Sequence, residues 1–115
     1  TCATLTSVVW PPGLDEISDR ALARCPKLVH VNLRMCVGLR LIGDWAFCRC
    51  LALETVVFPP GLEEIGNCAF SDCPKIVNVD LRVCVSLRRI GGKAFRFCVE
   101  LESVLLPRGF ASFGN

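Results

Sequence analysis

The chain has 115 residues, 52% of them hydrophobic and 21% charged, with a net charge of only +2. That length allows at most one domain with a moderate core. The composition argues against disorder, acidic tails and a general polyanion-binding surface, so nucleic acid is not an expected partner. Proline, glycine or a charge breaks every apolar run well short of the ~18 to 20 residues of a membrane helix, so membrane insertion is not expected. Thr1, Cys2, Ala3 and Thr4 show no basic segment leading into an apolar one, hence no visible signal peptide.

The first element begins at Leu5 and Val8, and its pattern returns at Leu28 and Val31, Leu53 and Val56, Ile76 and Val79, and Leu101 and Val104. The steps are 23, 25, 23 and 25 residues, so the longer unit is a pair spanning 48. Repeats 5–27, 28–52, 53–75, 76–100 and a partial 101–115 follow, and the whole chain reads as one solenoid, expected to be an excerpt of a longer array. Each repeat opens with a short β segment and then turns. In odd repeats the turn is Pro11, Pro12, Gly13 or its equivalents Pro59, Pro60, Gly61 and Pro107, Arg108, Gly109; in even repeats it is the five-residue stretch 34–38 or 82–86. A second β segment ends at Ile17, Ile42, Ile65 or Ile90, a small residue follows (Ser18, Gly43, Gly66, Gly91), and Ala46-Phe47, Ala69-Phe70 and Ala94-Phe95 introduce what reads as a helical turn. One rung has too few apolar groups to fold alone, so stacking in parallel must bury them.

Leu-x-x-Val-x-Leu, Leu-x-x-Ile-Gly and Ala-Phe-x-x-Cys in this order, with Gly43 to Cys50 and Gly66 to Cys73 the best examples, make nearly the whole chain resemble the BspA-like leucine-rich repeats. The departures are Ser18 for glycine, Leu22 for phenylalanine, and the two extra residues in even repeats. The resemblance implies an α/β-type repeat solenoid, a right-handed leucine-rich-repeat superhelix of short parallel strands with turns and short helical segments and little long helix. It also implies a non-catalytic protein-interaction module, with an adhesin-type glycan or host-protein binder as a lesser alternative.

Nine cysteines leave at least one unpaired by parity. Cys2, Cys25, Cys50, Cys73 and Cys98 fall in one inward column and read as a structural ladder of free thiols acting as small apolar residues. In-register side chains point the same way, so pairing down the column is not expected. Cys36 and Cys84 recur in the even insertions, two rungs apart, and should tuck over the core. Cys48 and Cys68 stand in variable columns and are the expected exposed thiols. The spacings lack the zinc-knuckle form and there is one histidine, so no metal or other cofactor is expected. Free thiols favour a reducing compartment, whereas the resemblance points to cell surfaces; localisation stays open.

Two faces remain. On the first β segments the outward residues include His30, Asn32, Glu54, Val57, Asn78, Asp80 and Glu102, a mixed surface suited to a protein partner. Trp45, which the repeat does not require, joins them as a candidate contact. On the second segments Asp15, Glu16, Arg40, Glu63, Glu64, Arg88 and Arg89 alternate in sign from rung to rung and read as a cross-strand ion ladder. No carboxylate or nucleophile stands where it would orient His30, so no enzyme is expected. The competing reading is a structural solenoid that associates end to end.

Overall fold

The structure, a computed structural model, describes residues 4, 6, 8 and 10–110. Cys2 of the expected cysteine ladder lies outside them. Eight strands of two or three residues mark the rungs: β1 (Glu16–Ile17), β2 (His30–Asn32), β3 (Leu41–Ile42), β4 (Thr55–Val57), β5 (Glu64–Ile65), β6 (Asn78–Asp80), β7 (Arg89–Ile90) and β8 (Ser103–Leu105). The second segments form one continuous parallel sheet in the order β1-β3-β5-β7. Its register pairs Ile17 with Ile42, Ile42 with Ile65, and Ile65 with Ile90, offsets of 25, 23 and 25 that match the sequence repeat.

The first segments behave differently. They pair in parallel as β2 with β4 and as β6 with β8, each across a 25-residue step. Leu33 N–H to Val57 O and Leu81 N–H to Leu105 O, both 2.8 Å, close those pairs at the same corner. β4 and β6 lie side by side without joining one sheet. β4 leads through Phe58 into Pro59 and Pro60, neither of which has an N–H to offer at that corner.

The third side of each rung contains no helix among the described residues, which corrects the expected helical turn. An α-helix would send each N–H to the carbonyl four residues back. Here two overlapping turns follow one another, as in Ala46 N–H to Gly43 O and Cys48 N–H to Trp45 O. The alternate N–H groups point along the stack instead: Trp45 to Asn67 O, Phe47 to Ala69 O and Arg49 to Ser71 O at 3.0, 2.7 and 2.8 Å. Arg20, Leu22 and Arg24 make the same bonds to the rung after theirs. Such a path requires left-handed backbone, found at Arg20, Arg24, Trp45, Arg49, Cys68, Asp72 and Phe97 with φ from 57° to 62°. Each costs a side-chain-bearing residue about 1–2 kcal/mol.

Between the three sides, Leu28, Leu33, Leu39, Ile42, Leu53, Leu62, Ile65, Ile76, Leu81 and Ile90 are fully buried, each stabilising by about 1.5–3 kcal/mol. Phe47, Phe70 and Phe95 stack down the axis with centroids 5.1 and 5.6 Å apart and planes within 7°, and Phe58 meets Phe70 edge-on at 5.8 Å. The glycine column has a specific cause. Asp19 Oδ1 accepts Asp44 N–H and Asp44 Oδ1 accepts Asn67 N–H, both at 2.8 Å, so each carboxylate lies across the next rung's glycine. A Cβ on Gly43 would stand 2.5 Å from Asp19 Oδ1, and one on Gly91 2.5 Å from Asn67 Oδ1.

Candidate interaction surfaces

His30, Asn32, Glu54, Val57, Asn78, Asp80 and Glu102 all lie exposed on the side built by β2, β4, β6 and β8. Several are engaged with their own scaffold. His30 Nδ1 and Thr55 Oγ1 are 2.6 Å apart across the β2–β4 pair, and Ser103 Oγ donates to Asn78 Oδ1 at 2.7 Å across β6–β8. Asn32 Oδ1 and Asp80 Oδ1 accept the backbone N–H of Arg34 and Arg82, at 3.0 and 3.1 Å, fixing the exits into the two insertions. The Arg82 guanidinium also grips Asp80 with two bonds of 3.0 and 2.8 Å, which hold its carboxyl down to about 2. Where β4 and β6 do not pair, a shallow cleft of about 500 Å³ opens among Glu54, Thr55, Lys75, Val77, Asn78 and Glu100. Trp45 is not on this side; it stands on the turn side.

On the second-segment side, Arg88 reaches Glu64 at 2.8 Å and Glu63 at 3.7 Å. Glu16 and Glu64 both lie opposite Leu41. Among the described residues Asp15, Glu16, Arg40 and Arg89 take part in no ion pair.

The cysteines divide by partner. Cys50, Cys73 and Cys98 donate their thiols to Leu22 O, Phe47 O and Phe70 O at 3.2, 3.2 and 3.1 Å. These inward carbonyls lie between those used by the rung-to-rung ladder, so the column supplies a donor as well as a small apolar volume. Burial pushes Cys50 up to about 11 and Cys73 higher still. Cys84 donates to Pro59 O at 3.3 Å and is also pushed up to about 11, and Cys36 approaches Pro11 O at 3.8 Å. Two expectations are corrected. Cys25 is disulfide-bonded, so the column is not wholly free thiols. Cys48 and Cys68 are only 7% and 6% exposed; Cys48 directly precedes the left-handed corner at Arg49, and Cys68 is itself such a corner.

The even insertions form a surface that the sequence reading did not single out. Both fold identically: Cys36 N–H to Leu33 O, Val37 N–H to Met35 O and Leu39 N–H to Cys36 O recur as Cys84 to Leu81, Val85 to Val83 and Leu87 to Cys84. With the cysteine turned inward, its neighbours must turn out. Met35, Val37, Val83 and Val85 are 73, 68, 57 and 77% exposed. Between the two loops, above the shorter proline turn of the intervening rung, lies an apolar notch of about 450 Å³ lined by Arg34, Met35, Val57, Phe58, Pro60 and Val83. The signal was available as apolar residues at alternate positions of a loop.

The turn side carries a larger cleft, about 720 Å³, lined by Arg20, Ala23, Arg24, Trp45, Cys48, Arg49, Asp72 and Phe97. Six of these eight are left-handed residues. Arg20 lies 5.8 Å from the Trp45 ring centre, and Arg96 lies 4.6 Å from that of Phe97. Ser71 Oγ donates to Asp72 Oδ2 at 2.7 Å. Among the described residues, the ion pairs use Arg82 and Arg88 alone, so Arg20, Arg24 and Arg49 face the cleft without a carboxylate partner.

The profile of the family described as BspA type Leucine rich repeat region (6 copies) matches residues 16–115. The fold is similar to that of a leucine rich cell surface protein from Faecalibacterium prausnitzii A2-165, at TM-score 0.65 and 22% identity over 88% of this chain and 32% of that one. A leucine-rich repeat protein from Bacteroides ovatus ATCC 8483 gives TM-score 0.62 and 20% identity over 100% and 40% of the two chains. The T. pallidum leucine rich repeat protein gives 0.56 and 24% over 95% and 73%. This chain thus spans about a third of the Faecalibacterium protein. No curated protein matches it.

Proposed function

The chain belongs to the family of BspA-type leucine-rich repeat regions, and from that premise we propose that it is a non-catalytic interaction module whose partner is a protein seated on the insertion edge. One observation carries this reading. Two loops with identical hydrogen bonding hold four large apolar side chains out to solvent on either side of a notch. Clustered exposed apolar groups on a rigid support are what a protein partner buries, and the unbranched Met35 side chain adapts to a partner's contour. The first-segment side supports the reading less, since His30, Asn32, Asn78 and Asp80 already have partners in their own scaffold.

A photo-reactive residue placed at Val85, and separately at Arg89 on the second-segment side, tests it. Irradiation with cells or extracts of the producing organism and its surroundings is expected to give discrete protein adducts from position 85 and none from 89. Equal labelling from both positions, or none from either, would sink the proposal. Adducts of twice the chain's own mass would favour the self-associating solenoid.

A further inference from the structure

The net charge of +2 conceals a segregation. On the turn side Arg20, Arg24, Arg49, Lys93 and Arg96 stand against Asp19, Asp44 and Asp72, and the first two of these carboxylates already accept an N–H of the next rung's backbone. The rung-to-rung bonds on this side use backbone groups, the Asp19 and Asp44 carboxylates and the inward thiols, so stacking requires none of these basic side chains. Its left-handed corners would be held more cheaply by glycine or asparagine. Around the cleft they are held instead by three arginines, a tryptophan, a phenylalanine and an aspartate.

Arg24 and Arg49 occupy one column on successive rungs, about one strand spacing apart. Two neighbouring guanidinium forks without a carboxylate of their own match a carboxylate from elsewhere. Trp45 and Phe97 add aromatic walls, and Trp and Arg are the side chains over which interface energy concentrates. The next rung places Asp72 and then Phe97 in the arginine column, which sets a limit on the ligand. A long, evenly charged polymer would meet that carboxylate, whereas a short acidic stretch beside an apolar residue would not.

We infer that the turn-side cleft binds an acidic segment of a partner protein, with a carboxylate taken by Arg24 and Arg49 and an adjacent aromatic or aliphatic side chain laid against Trp45. The class of partner rests on the interaction-module reading, but the site is on a different side of the rung from the insertion edge, so either surface can fail alone.

The test uses three probes on the intact chain: a labelled Glu-Glu-Phe-Glu-Glu peptide, its Gln-Gln-Phe-Gln-Gln counterpart, and heparin. The acidic peptide is expected to bind saturably and more weakly as salt rises, with amide shifts centred on residues 20–24, 45–49, 72 and 97 rather than on 34–38 and 82–86. Arg24→Gln with Arg49→Gln should weaken it about tenfold or more, whereas Arg88→Gln with Arg89→Gln should change it less than about twofold. No saturation by about 1 mM peptide, equal binding of the neutral peptide, shifts centred elsewhere, or tighter binding of heparin would each overturn the inference. The shift map is read on the unmodified chain, so the outcome stands even if the double variant does not fold. Photo-labelling from Val85 reports on the insertion edge independently.

Discussion

The second-segment side and the turn side of this solenoid both run the length of the stack on backbone hydrogen bonds, yet they treat charge in opposite ways. On the first, Glu63 and Glu64 of one rung meet Arg88 of the next, and the backbone is ordinary β. On the second, Arg20, Arg24 and Arg49 sit at strained corners without an ion pair, around an open cleft that also holds Asp72. Charge neutralised within the stack is already satisfied by its own scaffold. Charge left without an ion pair, on a backbone that would be better served by glycine, is what the inferred acidic segment would meet.

The contrast can be broken from beneath. Phe70→Ala removes the plate between Phe47 and Phe95 on which the turn side rests, and should cost about 3–5 kcal/mol in chemical denaturation. A smaller loss should come from pH. Burial raises Cys50 and Cys84 from 9.0 to about 11, so in the folded chain they stay protonated where the unfolded chain has lost its thiol protons. The stability they contribute is present below pH 9 and is lost as pH rises towards 11. Melting temperature should fall across that window, and a Cys50→Ala, Cys84→Ala variant should show a shallower fall. Gly66→Ala, which drives a Cβ into the Asp44 side chain and backbone, should cost about 1–3 kcal/mol; Gly13→Ala, in open space, should stay within about 0.5 kcal/mol.

The last two changes sharpen the comparison. Arg49→Gly relieves a left-handed corner and should raise stability by up to about 1 kcal/mol while removing half of the arginine pair. Arg88→Gln should lower stability by under about 1 kcal/mol, an effect that disappears at high salt, as expected of an exposed pair. Opposite signs from two exposed arginines, read by thermal melts, would separate the two sides; equal losses would erase the distinction.

The repeat columns were legible because inward positions recur at fixed steps, and Ile17, Ile42, Ile65 and Ile90 pair as that spacing predicts. What the turn stretch does was not. Ala-Phe-x-x-Cys has a helical composition, but its alternate N–H groups are used between rungs, a demand that no single repeat displays. Cys48 and Cys68 were expected outside because their columns vary, yet variation allows Cys48, Ser71 and Arg96 to share a column in which only the last is exposed. Trp45 and Phe97 fall in different columns of the repeat. They are 52 residues apart in sequence, and only the stack brings them, with Arg20, Arg24 and Arg49, around one cleft.

The division of the first segments into sealed pairs, β2 with β4 and β6 with β8, bears on how such an array can grow. Copying a single repeat would set two proline turns, or two insertions, on adjacent rungs, doubling or deleting a pairing step and filling or abolishing the notch. Copying 48 residues reproduces every corner in its proper neighbour's company. A 48-residue duplication would therefore preserve these corner contacts and would add a further insertion loop and a further notch at the same interval along the edge.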